Sequence, residues 1–143
     1  WNHPEVTLLL SGMSSMSQVA ENIEAANRSG ANSFGSEKLQ LIAGVRQKYK
    51  ERTAIPCTGC SYCMPCPNGV NIPKVFSFYN DGYMHEDLPT SRALYGRFLE
   101  EKERAGACLQ CQVCETKCPQ KIPISEWMPK AHAVLAEGQS YKK

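Results

Sequence analysis

All eight cysteines of this 143-residue chain fall in two short runs: Cys57, Cys60, Cys63 and Cys66 in CTGCSYCMPCP, and Cys108, Cys111, Cys114 and Cys118 in CLQCQVCETKCP. The steps are C-x2-C-x2-C-x2-C-P and C-x2-C-x2-C-x3-C-P. Thiolates are soft ligands suited to zinc and to iron–sulfur clusters. Zinc sites pair C-x2-C with a second pair, or with histidines, about a dozen or more residues away. Here four cysteines crowd about ten positions, twice, with no histidine beside them. A disulfide framework suits a small secreted domain, yet no apolar signal segment opens the chain, and cysteines at x2 spacing make poor staples. A C-x3-C-x2-C radical motif is broken, because Lys121 stands at the step that needs a third cysteine. Iron–sulfur ligation is what the spacing favours, and two clusters point to electron transfer. The alternative is that clusters, or zinc, are structural or redox-sensing staples of a docking domain with no electron relay.

A cubane cluster needs four thiolates from different directions, of which one short loop supplies three. The second run is similar to that of bacterial two-cluster ferredoxins, in which the last cysteine of each run ligates the other cluster. The resemblance implies one cluster held by Cys57, Cys60, Cys63 and Cys118, and another held by Cys108, Cys111, Cys114 and Cys66. Pro67 and Pro119 turn the chain away just after the crossing ligands. Between the first run's ligands stand Thr58, Gly59, Ser61, Tyr62, Met64 and Pro65, none of them charged. The second loop carries Glu115 and Lys117, giving its cluster different electrostatics.

The runs belong to a longer internal repeat that places Val70 and Ile72 opposite Ile122 and Ile124. A helix start follows each: Pro73 in the first turn after Asn71 or Ile72, and Ser125 as cap of a helix from Glu126. That last helix presents Trp127, Ala131, Val134 and Leu135, with Pro129 near its first turn. Between the runs, Val75, Phe78 and Tyr79 define one helix. Leu94, Phe98 and Leu99 define another, from about Ser91 to Ala105, with Glu100 and Arg104 four apart on its wet face and Gly106 as its stop. Asn80-Asp81-Gly82 through Asp87-Leu88-Pro89 reads as turn. Upstream, Ser15 and Gln18 form a capping box ahead of Met16, Val19, Ile23 and Ala26. A further helix starts at Ser36 with Leu39, Ile42, Val45 and Tyr49 on its apolar face. Tyr62, Phe76, Phe78 and Trp127 are expected to pack around the clusters, and His3, His85 and His132 to be structural or solvated. The fold class is mainly α. Over roughly positions 50 to 137 the chain resembles the all-helical ferredoxin domains of succinate dehydrogenase iron–sulfur subunits, in which helices separate the two cysteine runs.

Residues 1–30 read differently from the 31–143 ferredoxin domain. The continuous run Val6-Thr7-Leu8-Leu9-Leu10 suits a strand buried on both faces, and strand, SGMSS turn and helix make a βα unit. The segment from Val6 to Asn22 resembles the eighth strand and helix of an aldo/keto reductase (β/α)8 barrel. Its succession by two cysteine runs resembles the bacterial and archaeal aldo/keto reductases with a C-terminal dicluster ferredoxin domain. The resemblance implies a parent that binds NAD(P), with Gly12, Met13, Ser14, Gln18, Glu21 and Asn22 matching the nucleotide contacts. No basic residue stands in that loop or at Gln18, so NAD and NADP both remain open. The family's catalytic residues lie on earlier strands, so this part of the chain performs no carbonyl reduction alone. The partners implied are its own N-terminal barrel and an electron carrier, ferredoxin or flavoprotein. A net charge of +2 makes no field for nucleic acid or a membrane surface. No run of eighteen apolar residues could span a bilayer, and thiolates holding reduced iron imply the cytoplasm.

Overall fold

A computed structural model describes residues 1–141. The chain divides into two compact units, Trp1–Gln47 and Lys48 onward. Every regular element among the described residues is helical, and no helix is long and apolar enough to cross a membrane.

In the first unit, α1 (Met16–Arg28) begins where the sequence places it. Ser15 Oγ accepts from the Gln18 N–H at 3.4 Å, and Gln18 Oε1 accepts from the Ser14 N–H at 2.8 Å. The capping box is thus reciprocal but displaced by one residue on its return side. The expected strand over Val6 to Leu10 is not formed: that stretch is irregular, and Leu8, Leu9 and Leu10 are 73, 51 and 92% exposed. An extended segment needs a neighbour to take its backbone N–H and C=O groups, and no second strand exists among the described residues. Helix α2 (Ser36–Glu51) starts at Ser36 as expected, and its Leu39, Ile42, Val45 and Tyr49 are exposed.

The second unit holds the core. Helix α3 (Ile72–Met84) is capped by Asn71, whose Oδ1 accepts from the Lys74 N–H at 3.4 Å, with Pro73 in its first turn. It buries Ile72, Val75, Phe76, Phe78 and Tyr79, and then continues through Asn80-Asp81-Gly82, which composition alone reads as a turn. Two contacts override that turn signal. Asn80 Nδ2 donates to the Ile55 carbonyl at 2.8 Å while its Oδ1 accepts from the Ile55 N–H at 2.9 Å. Gly82 lies against Tyr141 Oη and Ser91: a β-carbon there would stand 2.8 Å from Ser91 Oγ, so the residue is a packing slot.

Helix α4 (Leu88–Phe98) also departs from expectation. Asp87 caps it, Oδ1 accepting from the Thr90 N–H at 3.1 Å, and it ends at Phe98, well short of Ala105. Its buried face is Ser91, Tyr95 and, just past its end, Leu99, while Leu94 and Phe98 are 37 and 60% exposed. Arg104 is not on a wet helical face: its Nε donates to the Leu99 carbonyl at 3.0 Å and an Nη to the Gly96 carbonyl at 2.7 Å. The guanidinium satisfies carbonyls that the helix end leaves open. Glu100 instead pairs with Lys102 at 2.9 Å, and 3-10 turns at Glu101–Glu103 and Ala105–Ala107 carry the chain to the second cysteine run.

Helix α5 (Val113–Thr116) lies inside the second run, and α6 (Ile124–Leu135) follows it. Ser125 is not the cap of α6 but its second residue. The core of the unit is α3, α4 and α6 closed over Ile55, Val70 and Ile122, with Met128 and Ala131 fully buried on the α6 side.

Candidate metal centre

The repeat seen in the sequence extends to the backbone. Positive φ occurs at Gly59 and Ser61, either side of the second cysteine of the first run, and at Gln110 and Gln112, either side of the second cysteine of the other. It occurs again three residues after the last cysteine of each, at Gly69 and Lys121. The hydrogen bonds repeat in step. Met64 N–H donates to the Ser61 carbonyl at 3.0 Å and Glu115 N–H to that of Gln112 at 3.0 Å. Gly69 N–H donates to the Cys66 carbonyl at 3.0 Å and Lys121 N–H to that of Cys118 at 3.1 Å. Exposure follows the same order: Cys60 and Cys111 are exposed, and the other six thiols are partly or fully buried. Holding Ser61, Gln110, Gln112 and Lys121 in the left-handed region costs on the order of 1–3 kcal/mol each, a strain characteristic of functional sites. One consequence is visible: the Gln110 N–H points at Cys108 Sγ, 3.4 Å away.

Val70 and Ile72, with Ile122 and Ile124, are all buried and seat the two loops on the core. A narrow cavity is lined by Cys57, Cys60 and Cys63 together with Cys118, over Ile72 and Phe76. The last cysteine of the second run therefore stands at the loop of the first. Burial pushes the Cys63 thiol up, and the neighbouring Cys57, Cys60 and Cys118 thiols add to it. On the other side, burial pushes Cys114 up to about 11, with Glu115, Cys108 and Cys66 contributing. These two thiols would have to lose their protons to ligate a metal, which rising pH favours. All eight cysteines are free thiols. Among the described residues no group of three or more cysteine, histidine, aspartate or glutamate side chains is placed to hold a single metal ion. Soft thiolate donors around a cavity floored by Ile72 and Phe76 are a donor set that fits an iron–sulfur cluster.

The second loop is bound to α6 by groups that sequence reasoning missed. Pro129 has no N–H to give the Ser125 carbonyl four residues back, and Gln110 Nε2 donates to that carbonyl at 3.1 Å. Glu115 Oε1 accepts from the Ser125 N–H at 2.7 Å and from its hydroxyl at 2.6 Å. The glutamate thus caps α6 from the neighbouring loop. A proline inside a helical pattern was the one available signal that some group must serve the freed carbonyl.

Of the aromatics expected around the cysteines, Phe76 and Phe78 are buried and Trp127 packs against the core, but Tyr62 is 66% exposed. Its counterpart in the repeat, Val113, is likewise on the surface at 40%. His132 lies against Gly106, where a β-carbon would meet its ring at 2.6 Å, and its Nε2 is 3.5 Å from Glu137.

Gly12, Met13, Ser14, Gln18, Glu21 and Asn22 lie in the first unit, on the loop before α1 and its first two turns, and all are exposed. Asn22 Nδ2 donates to Ser11 Oγ at 3.2 Å, and Gln18 is engaged by Ser14. No curated protein and no solved structure matches the chain. Residues 56–122, which span both cysteine runs and the helices between them, match the family model described as a 4Fe-4S dicluster domain, and this part of the chain is an iron–sulfur electron-transfer domain.

Proposed function

We propose that the domain is a two-cluster electron relay with crossed ligation. Cys57, Cys60, Cys63 and Cys118 hold one 4Fe-4S cluster, and Cys108, Cys111, Cys114 and Cys66 hold the other. The observation that carries this is the presence of Cys118 on the cavity lined by Cys57, Cys60 and Cys63. Bound clusters of this type each supply a one-electron couple. The chain's part is to shape the site. A strained turn aims the Gln110 N–H at Cys108 Sγ, and Ile72, Phe76, Ile122 and Ile124 line the inner side of the first loop's cavity with apolar groups. Exposed Cys60 and Cys111 mark the edges where an outside carrier, a ferredoxin or flavoprotein, approaches closest.

Anaerobic reconstitution with iron and sulfide should give about eight irons per chain. Cys118→Ser should remove the same paramagnetic resonance signal as Cys57→Ser, and Cys66→Ser the same one as Cys108→Ser. Loss of the Cys108→Ser signal in Cys118→Ser would overturn the crossing. Zinc alone, at one or two ions per chain, would overturn the relay.

For residues 1–30 we propose the last βα unit of an aldo/keto reductase-type barrel, with NAD(P) bound near Gly12 to Asn22. Its support is the resemblance, together with the exposed Leu8 to Leu10 ahead of a capped helix. In a chain that carries the barrel, Asn22→Ala should weaken NAD(P)H binding several-fold by fluorescence titration. Unchanged affinity would sink this assignment.

A further inference from the structure

We infer that two side-chain amides cross between the halves and set the potentials of the two clusters: Asn68 acts on the site of Cys108, Cys111 and Cys114, and Gln120 on that of Cys57, Cys60 and Cys63. The inference rests on the crossed-cluster reading above. Asn68 follows Cys66-Pro67 in the first run, yet its Nδ2 points at Cys111 Sγ in the second run, 4.0 Å away. Gln120 follows Cys118-Pro119 at the equivalent place in the repeat, and it lines the cavity of Cys57, Cys60 and Cys63. Each carboxamide thus sits one residue past a crossing cysteine and its proline, and accompanies that cysteine into the opposite half. Asn68 stands at the exposed Cys111, where solvent would otherwise compete for the sulfur, and Gln120 shares its cavity with the exposed Cys60.

The physical effect has a definite sign. A site that takes up an electron gains one negative charge on its sulfurs, and an N–H donor directed at a ligand sulfur favours that more negative state. Each amide therefore raises the potential of the cluster opposite its own run. The two amides are not equivalent. Asn68 is half-buried, whereas Gln120 is exposed and has one more methylene to immobilise. Asn68 should therefore exert the larger pull, biasing the resting electron toward the cluster of Cys108, Cys111 and Cys114.

The test is a redox titration of the reconstituted protein, followed by paramagnetic resonance, with iron and sulfide counted on every sample. Asn68→Leu keeps the side chain's size and removes the donor. It should lower the reduced-to-oxidised ratio of one cluster at fixed potential by several-fold and leave the other unchanged. Asn68→Asp, which puts an anion in the same place, should lower it by about tenfold or more, equivalent to about 59 mV for one electron. Gln120→Leu should move the other midpoint in the same direction by less. If Asn68→Leu sheds iron, Asn68→Asp carries the test on its own. Full iron and sulfide with both midpoints unmoved, or both variants moving the same midpoint, overturns the inference and leaves the cluster reading standing. A wild-type chain that takes up no iron and sulfide overturns both.

Discussion

Removing the carboxylate of Glu115 should loosen α6 from the second cysteine loop by an amount the structure allows to be worked out. Glu115 Oε1 accepts two short bonds, 2.7 Å from the Ser125 N–H and 2.6 Å from the Ser125 hydroxyl, and Ser125 is only 5% exposed. Hydrogen bonds to a charged acceptor contribute about 1.5–3 kcal/mol each. Two that share one oxygen do not add in full, so about 2–3 kcal/mol is the reasonable loss in Glu115→Ala. Removing a negative charge from a helix N-terminus costs a further 0.3–1 kcal/mol or so. The sum is about 3 kcal/mol, because water cannot reach Ser125 to replace the missing acceptor. Glu115→Gln keeps an oxygen in place without the charge, and should cost about half as much. Ser125→Ala removes one donor and leaves the backbone cap intact, for about 1 kcal/mol. Urea unfolding of the anaerobically loaded protein, followed by far-ultraviolet circular dichroism with iron counted throughout, gives the ranking. A Glu115→Ala variant within about 0.5 kcal/mol of wild type would refute the capping argument, since that is the ordinary range for a surface substitution away from any such contact.

Other perturbations follow from contacts already described. Tyr95 is 1% exposed and its hydroxyl accepts from the buried Ala105 N–H at 2.8 Å, so Tyr95→Phe should cost about 1–3 kcal/mol in the same unfolding assay. Asn80→Ala leaves the N–H of fully buried Ile55 without an acceptor and its carbonyl with the Cys57 N–H alone, 2.7 Å away; a loss of about 1–3 kcal/mol and faster release of iron to a chelator are expected. Burial, with Tyr79 adjacent, pushes the Tyr141 hydroxyl from an ordinary 10.0 up to about 12. The neutral phenol is the form the fold favours, so the stability it contributes is whole below pH 10 and is lost as pH rises to about 12. Ultraviolet titration of the phenolate checks this. Gly82→Ala, which intrudes on Tyr141 Oη, should bring that titration back toward 10.

Much of the second unit was legible because its signals are local. Asn71 and Pro73 start α3 within a few residues of each other, and the paired Val70, Ile72, Ile122 and Ile124 report the repeat without any three-dimensional knowledge. The errors share a cause. Asn80-Asp81-Gly82 has the composition of a turn, but Asn80 bonds to Ile55, twenty-five residues away, and Gly82 makes room for Tyr141 from the far end of the chain. Neither partner is visible from a local window. In α4, Leu94 and Phe98 gave the right period but the wrong face, because Tyr95 buries a ring and still satisfies its hydroxyl at Ala105. The Val6 to Leu10 run has strand composition, but a strand is made by its neighbours, and none is formed among the described residues.

Pro129 leaves α6 unable to complete its own first turn. The missing donor comes from Gln110, a residue whose left-handed backbone belongs to the second cysteine loop, and the cap comes from Glu115 in the same loop. The shape of the loop and the closed start of the helix are therefore coupled, each stabilising the other through Gln110 and Glu115. On the two-cluster reading, binding of the inorganic group would stabilise the loop and, through it, the start of α6. A chain short of iron should then open more readily at the start of α6, and limited proteolysis with and without iron and sulfide would show it as faster cleavage there.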